Sequence, residues 1–192
     1  MEVFHLCKSY GEKQVLKDLS LTLEPGKLYV LTGASGRGKT TLLHILLGLV
    51  PPDSGQVPTD IRYSAVFQEN RLLPRRSAVD NLRPVCRKQG REAVRNLLAE
   101  ILPSDCLESP VETLSGGRQR RVAIARAMAA QSDVVVMDEP FTGLDIQTAG
   151  VVLDFILRHQ QGRTIVIATH QLEFVQDCAP LYIHLTLFRA PA

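Results

Sequence analysis

No stretch of this 192-residue sequence is apolar for the ~18 residues that a membrane-spanning helix needs. The longest apolar run, around Leu42 to Val50, is interrupted by His44. The N-terminus, Met1-Glu2-Val3-Phe4-His5, has neither the basic start nor the apolar centre of a secretory signal. A soluble chain is expected, with any membrane connection made through another subunit. An excess of one charge is missing too: the formal net charge is +2, too small to argue for a nucleic-acid or membrane-surface partner. Cysteine is scarce and scattered, and Cys7, Cys86, Cys106 and Cys178 form no pair at metal-ligand or redox spacing. Four reduced thiols fit that pattern. The five histidines include no i, i+4 pair, so metal binding by protein ligands alone is not expected. Internal repeats and low-complexity tracts are likewise absent.

What is there reads as an ordinary globular chain, 45% hydrophobic, long enough for one domain with a sizeable core and a smaller lobe. Residues 3–30 read as short strands punctuated by Tyr10-Gly11 and by the turn Glu24-Pro25-Gly26. Leu19, Leu21 and Leu23 alternate with Ser20 and Thr22, the period-2 pattern of a half-buried strand. Leu28-Tyr29-Val30-Leu31 is continuously apolar, as in a strand buried on both faces. Residues 40–49 then read as a helix that Pro51-Pro52 stops, and residues 63–67 as a short strand. The region 69–131 is arginine-rich and lacks strong strand runs. It carries a helical stripe at Ala93, Val94, Leu97, Leu98 and Ile101, and a second helix opened by Ser115 and running through Ala130. Strand–helix alternation returns with a strand at 134–138, a helix at 147–160 and a strand at 164–169. The layout is an α/β core, largely a parallel sheet, interrupted by a mostly helical lobe.

Gly33-Ala34-Ser35-Gly36-Arg37-Gly38-Lys39-Thr40 satisfies G-x-x-x-x-G-K-[ST] between a strand and a helix. Its glycines let successive backbone N–H groups point inward at phosphate oxygens, and the helix N-terminus adds its partial positive charge. Lys39 is expected to neutralise the β- and γ-phosphates, and Thr40 to place its hydroxyl on Mg²⁺. Val134-Val135-Val136-Met137-Asp138-Glu139 is a buried strand ending in two carboxylates. Asp138 faces the crevice where ligands sit in open parallel sheets and is the natural Mg²⁺ partner. Glu139 is the candidate general base for an attacking water. Alone, such a strand end could simply be solvated; paired with the glycine loop it becomes a metal-assisted phosphoryl-transfer site. Leu114-Ser115-Gly116-Gly117 places Ser115 as a helix N-cap, with two glycines leaving the first amides unobstructed. An ordinary capped helix would read the same way. The alternative is a second anion-binding terminus, and one phosphate chain does not need two from the same chain.

The ordered set, completed by Thr169-His170, resembles the nucleotide-binding subunit of an ATP-binding-cassette (ABC) transporter over essentially the whole chain. The resemblance implies a P-loop NTPase fold: an ABC ATPase core with a largely parallel sheet, an N-terminal antiparallel β-subdomain and an inserted helical subdomain. Residues 1–192 would form one ABC ATPase domain, with a RecA-like core at about 1–68 and 132–192 and the helical subdomain at about 69–131. ATP and Mg²⁺ are the implied cofactors, and ATP hydrolysis coupled to transport the implied activity. Nucleotide contacts would fall to Gly33, Ala34, Ser35, Gly36, Arg37, Gly38, Lys39, Thr40 and Thr41, with Tyr10 stacking on adenine. Thr40, Gln68 and Asp138 would hold the metal. Glu139, His170, Lys39 and Gln68 would carry catalysis, His170 by bonding the γ-phosphate. In that family the signature of one subunit closes over the nucleotide of another, so Ser115, Gly116 and Gly117 would contact ATP in a head-to-tail dimer whose interface Asp145 crosses.

Several positions depart from that pattern. Arg118 stands where the signature usually continues with glutamine, changing the charge near a phosphate; Gly143 and Gln171 are smaller changes. Gln68 lies only 29 positions after Lys39 (68 − 39), which suggests a shortened β-rich arm over residues 55–63. With 22 residues (192 − 170) after His170, an appended regulatory domain is not expected. Phe67-Gln68-Glu69-Asn70-Arg71-Leu72-Leu73-Pro74 resembles importer-type ATPases serving nitrate-, sulfonate- or taurine-type substrates. The implied partners are a second ATPase subunit, transmembrane permease subunits and a solute-binding protein, with the chain on the inner face of the cell membrane. Two alternatives stay open: a cassette acting mechanically on envelope proteins, and a non-transport cassette of nucleic acid or translation. No nucleic-acid partner is expected, because Arg71, Arg75, Arg76, Arg83, Arg87, Arg91 and Arg95 are scattered among acids and apolar residues.

Overall fold

The structure, a computed structural model, describes residues 1–34 and 36–185; the expected contact of Ser35 lies outside the described residues. The chain opens with an antiparallel hairpin, β1 (Glu2–Tyr10) and β2 (Lys13–Thr22), turned at Gly11-Glu12. Next come β3 (Leu28–Thr32), α1 (Lys39–Leu46), β4 (Ser54–Gln56) and β5 (Tyr63–Val66). Three helices follow, α2 (Ala78–Leu82), α3 (Arg91–Ala99) and α4 (Gly116–Ala129). The chain then alternates through β6 (Val134–Asp138), α5 (Ile146–Arg158), β7 (Thr164–Ala168) and β8 (Leu181–His184).

The strands form a three-stranded antiparallel sheet, β2-β1-β4, and a five-stranded parallel sheet, β5-β6-β7-β3-β8. Every residue of β3, β6 and β7 is buried, which is why those segments read as unbroken apolar runs. Successive side chains go to opposite faces. Leu28, Val30, Val135, Met137, Ile165 and Ile167 join one core with α4, α5 and the helical region. Tyr29, Leu31, Val134, Val136, Val166 and Ala168 join a second core with α1 and the N-terminal strands.

Four local features differ from the sequence expectation. The helix at 40–49 ends at Leu46, before the prolines, because Gly48 takes φ 68° and donates to the Ile45 carbonyl at 3.0 Å. The shortened arm keeps one three-residue strand, β4, paired with β1 at Phe4↔Gln56 and Cys7↔Ser54. The helix α2 is only five residues long, too short for a hydrophobic stripe, and is capped by Ser77, whose hydroxyl accepts from the Asp80 N–H at 3.0 Å. Among the described residues β8 is an edge strand paired only with β3 and mostly exposed, so no apolar run announces it.

Tyr63, at the start of β5, donates its hydroxyl to the Met1 sulfur at 3.0 Å. Burial, helped by the Asp60 charge, pushes its phenol up to about 12. The unfolded chain ionises it near ~10. The stability this supplies is therefore full below pH ~10 and is lost as pH rises toward the folded value. Tyr63→Phe should blunt the fall in urea stability between about pH 10 and 12, the window between the two values; a fall identical to that of the wild type would remove Tyr63 as its source.

Candidate functional site

The carboxyl ends of β5, β6, β7 and β3 lie in one row at one edge of the parallel sheet. In that order they lead into Phe67-Gln68, Asp138-Glu139, Thr169-His170 and the glycine loop. Residues far apart in sequence are thus neighbours at the edge where open parallel sheets bind ligands.

The glycine loop is fixed by close approach. Gly38 takes φ 89° at the N-cap of α1, and a Cβ there would sit 2.8 Å from Val15 Cγ1 and 3.0 Å from the Val15 carbonyl oxygen. Gly33 takes φ 141°, and its Cβ would sit 2.8 Å from the Leu185 carbonyl oxygen. The loop is therefore held between β2 and the residue after β8. α1 has no acidic residue in its first turn, which leaves its N-terminus free for an anion. Lys39 Nζ donates to the Gly33 carbonyl at 2.6 Å and the Ala34 carbonyl at 3.2 Å. Arg37 and Thr41 are half-buried, whereas Ala34 and Gly36 are exposed.

Two side-chain pairs stand beside this loop. Thr40 Oγ1 donates to Asp138 Oδ2 at 2.8 Å, closing α1 onto β6. Burial pushes the Asp138 carboxyl above its ordinary value; the Thr40 hydrogen bond opposes that rise and the neighbouring Glu139 charge adds to it. His170 Nδ1 lies 3.0 Å from Glu139 Oε2. Glu139 takes φ 49°, a left-handed conformation that costs a non-glycine residue about 1–3 kcal/mol. Its N–H donates to the Ala168 carbonyl at 2.8 Å, so β7 holds the strained residue in place. The hydroxyl and carboxylate oxygens of Thr40 and Asp138 are hard ligands that fit Mg²⁺. Among the described residues no group of three or more His, Cys, Asp and Glu forms a cage.

Ser115 occupies the N-cap of α4, yet its side chain makes no capping hydrogen bond. The expected cap is thus present in position and absent in bonding, leaving the hydroxyl available for another partner. Gly116 faces open space, and a Cβ on Gly117 would lie 3.1 Å from the Gly143 carbonyl oxygen. A groove runs past Gln68, Asn70, Ser115, Gly117, Gly143 and Asp145, and among the described residues none of the glycine loop lines it. Asp145 caps α5, with Oδ1 accepting from the Thr148 N–H at 2.9 Å and Oδ2 from the Thr148 hydroxyl at 2.7 Å. Tyr10 is exposed at the hairpin end, with Lys8 Nζ 5.6 Å from its ring centroid. Its cross-strand partner Lys13 brings Nζ to 3.8 Å from where a Gly36 Cβ would stand, so this hairpin end overhangs the loop.

The ABC transporter family profile matches residues 16–142. The chain belongs to that family. The aliphatic sulfonates import ATP-binding protein of Rhodococcus jostii (strain RHA1) is 38% identical over 173 residues, covering 86% of this chain and 63% of that protein. The L-cystine import ATP-binding protein of Bacillus subtilis (strain 168) is 36% identical, covering 91% of this chain and 81% of that protein. The taurine import ATP-binding protein of Escherichia coli (strain K12) is 34% identical, covering 90% and 74%. This chain therefore spans less than two thirds of the Rhodococcus relative and more of the other two. Among solved structures, the ATP-binding cassette MJ0796, as a dimer in a post-hydrolysis state with ADP and Pi, superposes with a TM-score of 0.84. It is 27% identical, over 96% of this chain and 93% of that one. The fold is that of an ABC ATPase cassette.

One part of this ABC cassette was not foreseen. Of the run Arg118-Gln119-Arg120-Arg121, two arginines turn into the protein rather than toward a phosphate. Arg121 donates to the Ile101 carbonyl at 2.7 Å, and Arg120, 4% exposed, donates to the carbonyls of Phe67 and Gln68. Burial lowers the Arg120 guanidinium from its ordinary value, against the pull of Asp138 and Glu139. A helical wheel could have signalled this, since residues 100° apart cannot all face the same ligand.

The raised Asp138 carboxyl has a consequence for stability. A raised folded value supplies stability only in acid, and that contribution is already lost at neutral pH. Asp138→Asn keeps an acceptor for Thr40 and should raise the nucleotide-free melting temperature at pH 7 by ~2–4 °C, the shift expected of about 1 kcal/mol in a chain this size. The gain over wild type should shrink as the buffer is taken down toward pH 4, roughly the ordinary carboxylate range. A variant that melts below the wild type at pH 7 contradicts the assignment.

Proposed function

We propose that this chain is the ATP-hydrolysing subunit of an ABC importer, acting as a head-to-tail dimer on the cytoplasmic face of transmembrane permease subunits. The observation that carries this reading is the pairing of Thr40 with Asp138 and of Glu139 with His170 beside one phosphate loop. Residues 69–131 are proposed as the helical subdomain, moving against a core of about 1–68 and 132–192. The permease takes the membrane-spanning part, since among the described residues no helix is long and apolar enough to cross a membrane. Relatives named for aliphatic sulfonates, taurine and L-cystine favour a small sulfur-containing cargo, delivered by a solute-binding protein.

Chemically, the loop amides and the N-terminus of α1 receive the phosphate chain, and Lys39 exchanges its carbonyl partners for phosphate oxygens. Bound Mg²⁺ would neutralise developing phosphate charge, held by Thr40 and Asp138 with Gln68. Glu139 orients the attacking water and accepts its proton, and His170 holds the Glu139 carboxylate while its ring reaches for the γ-phosphate. Tyr10 stacks on adenine. Ser115, Gly116 and Gly117 serve the partner's nucleotide, which the free Ser115 hydroxyl and its groove support. Ile146, beside Asp145, is 78% exposed and supports burial of that segment between subunits.

Glu139→Gln should bind ATP, lose nearly all turnover and accumulate as a dimer in gel filtration with ATP; a monomeric, fully active variant would sink the mechanism. Ser115→Ala should lower turnover ~10-fold or more, the loss expected for one bond to a charged acceptor, with single-subunit ATP affinity kept. Unchanged turnover would exclude the signature from the site.

A further inference from the structure

The loop that carries Gln68 takes its shape from α4. Arg120 sends Nη1 to the Phe67 carbonyl at 2.5 Å and Nη2 to the Gln68 carbonyl at 2.7 Å. Further along α4, Arg126 sends Nη1 to the Arg71 carbonyl at 2.8 Å and Nη2 to the Asn70 carbonyl at 3.2 Å. Residues 68–72 make no backbone–backbone hydrogen bond among those described. The Arg71 guanidinium instead lies 3.7 Å over the Phe67 ring. Two guanidiniums on one helix thus supply the fixed points of this loop.

The two arginines grip different parts of it. Arg126 holds the far side, beyond Gln68, and is partly exposed, whereas Arg120 holds the carbonyl of Gln68 itself and is buried. A planar fork with two acceptors has one orientation, so it transmits displacement where a lysine would pivot. At its other end α4 begins with Ser115, Gly116 and Gly117. A shift of that terminus as it closes on an anion moves the Arg120 fork, and the fork moves the backbone of Gln68.

We propose that Arg120 is a positioning residue that couples the two nucleotide sites of the dimer, tying Gln68 in one site to the signature residues that close on the other. This rests on the dimeric ATPase reading above. Coupling of this kind is a free energy shared between sites, read as cooperativity in ATP. A residue that merely fastened the helical region to the core would lower stability and leave the cooperativity of the folded fraction unchanged.

The test is steady-state ATP hydrolysis by the full chain, with melting temperatures and single-subunit nucleotide affinity measured alongside. Arg120→Met keeps length and removes the donors. It should cut kcat ~10-fold or more and bring the Hill coefficient to about 1, with single-subunit ATP affinity within roughly twofold of wild type. Arg120→Lys, with one pivoting donor, should recover part of kcat and less of the cooperativity. Arg126→Met, which leaves the Gln68 carbonyl held, should keep the Hill coefficient. Arg120→Met with wild-type kcat and cooperativity overturns the proposal, as does an equal loss of cooperativity in Arg126→Met. Should Arg120→Met fail to fold, Arg120→Lys decides: a lowered Hill coefficient at unchanged melting temperature supports the coupling, and wild-type values overturn it. A wild-type chain that neither hydrolyses ATP nor dimerises as Glu139→Gln removes the functional reading and this inference with it. An active wild type matched by Arg120→Met removes this inference alone.

Discussion

Everything at the nucleotide edge depends on three strands that have no solvent-facing residue. Because β3, β6 and β7 are buried along their whole length, both faces of the sheet need cover, and the connections must cross over rather than turn back. Parallel strands then deliver all their carboxyl ends to one edge. Register sets the rest: Asp138 pairs with Ala168, and Ala168 with Leu31, so the carboxylate, the approach to His170 and the root of the glycine loop share one row. A slip of one residue in β6 would send Val135 and Met137 to the wrong core and carry Asp138 away from Thr40.

Against that rigid row, the loops are fixed by contacts that come from elsewhere in the chain. The glycine loop is clamped between β2 and Leu185, the strained Glu139 is held by the Ala168 carbonyl, and the Gln68 loop is gripped by α4. Each functional segment is thus positioned by a different element. Of these elements α4 alone both carries the signature residues and grips a second functional segment.

How much of this was visible in the sequence follows from burial. Strands covered on both faces advertise themselves as apolar runs, so β3, β6 and β7, with Lys39, Asp138, Glu139 and His170 at their ends, could be placed directly. Elements whose existence depends on a neighbour could not. β8 is exposed on most of its residues and exists because β3 offers an edge; α2 spans five residues and exists because Ser77 caps it. The end of α1 was misplaced because Gly48, an αL terminator, acts before the prolines do. Ser115 was rightly placed and wrongly bonded, since position in a helix does not say where a hydroxyl points. Arg120 was invisible because a buried arginine is fixed by carbonyls some fifty residues away, at Phe67 and Gln68.

Lys39 has one further consequence. With its ammonium resting on the Gly33 and Ala34 carbonyls, Lys39 has acceptors within the loop that stand where a ligand's oxygens would serve it. Arrival of a phosphate chain is then an exchange of neutral acceptors for anionic ones. Selectivity at that step rests on how much better a ligand's oxygens serve the ammonium than the loop's own carbonyls do. A neutral ligand gains nothing from the trade, and a polyphosphate gains at every amide the loop presents.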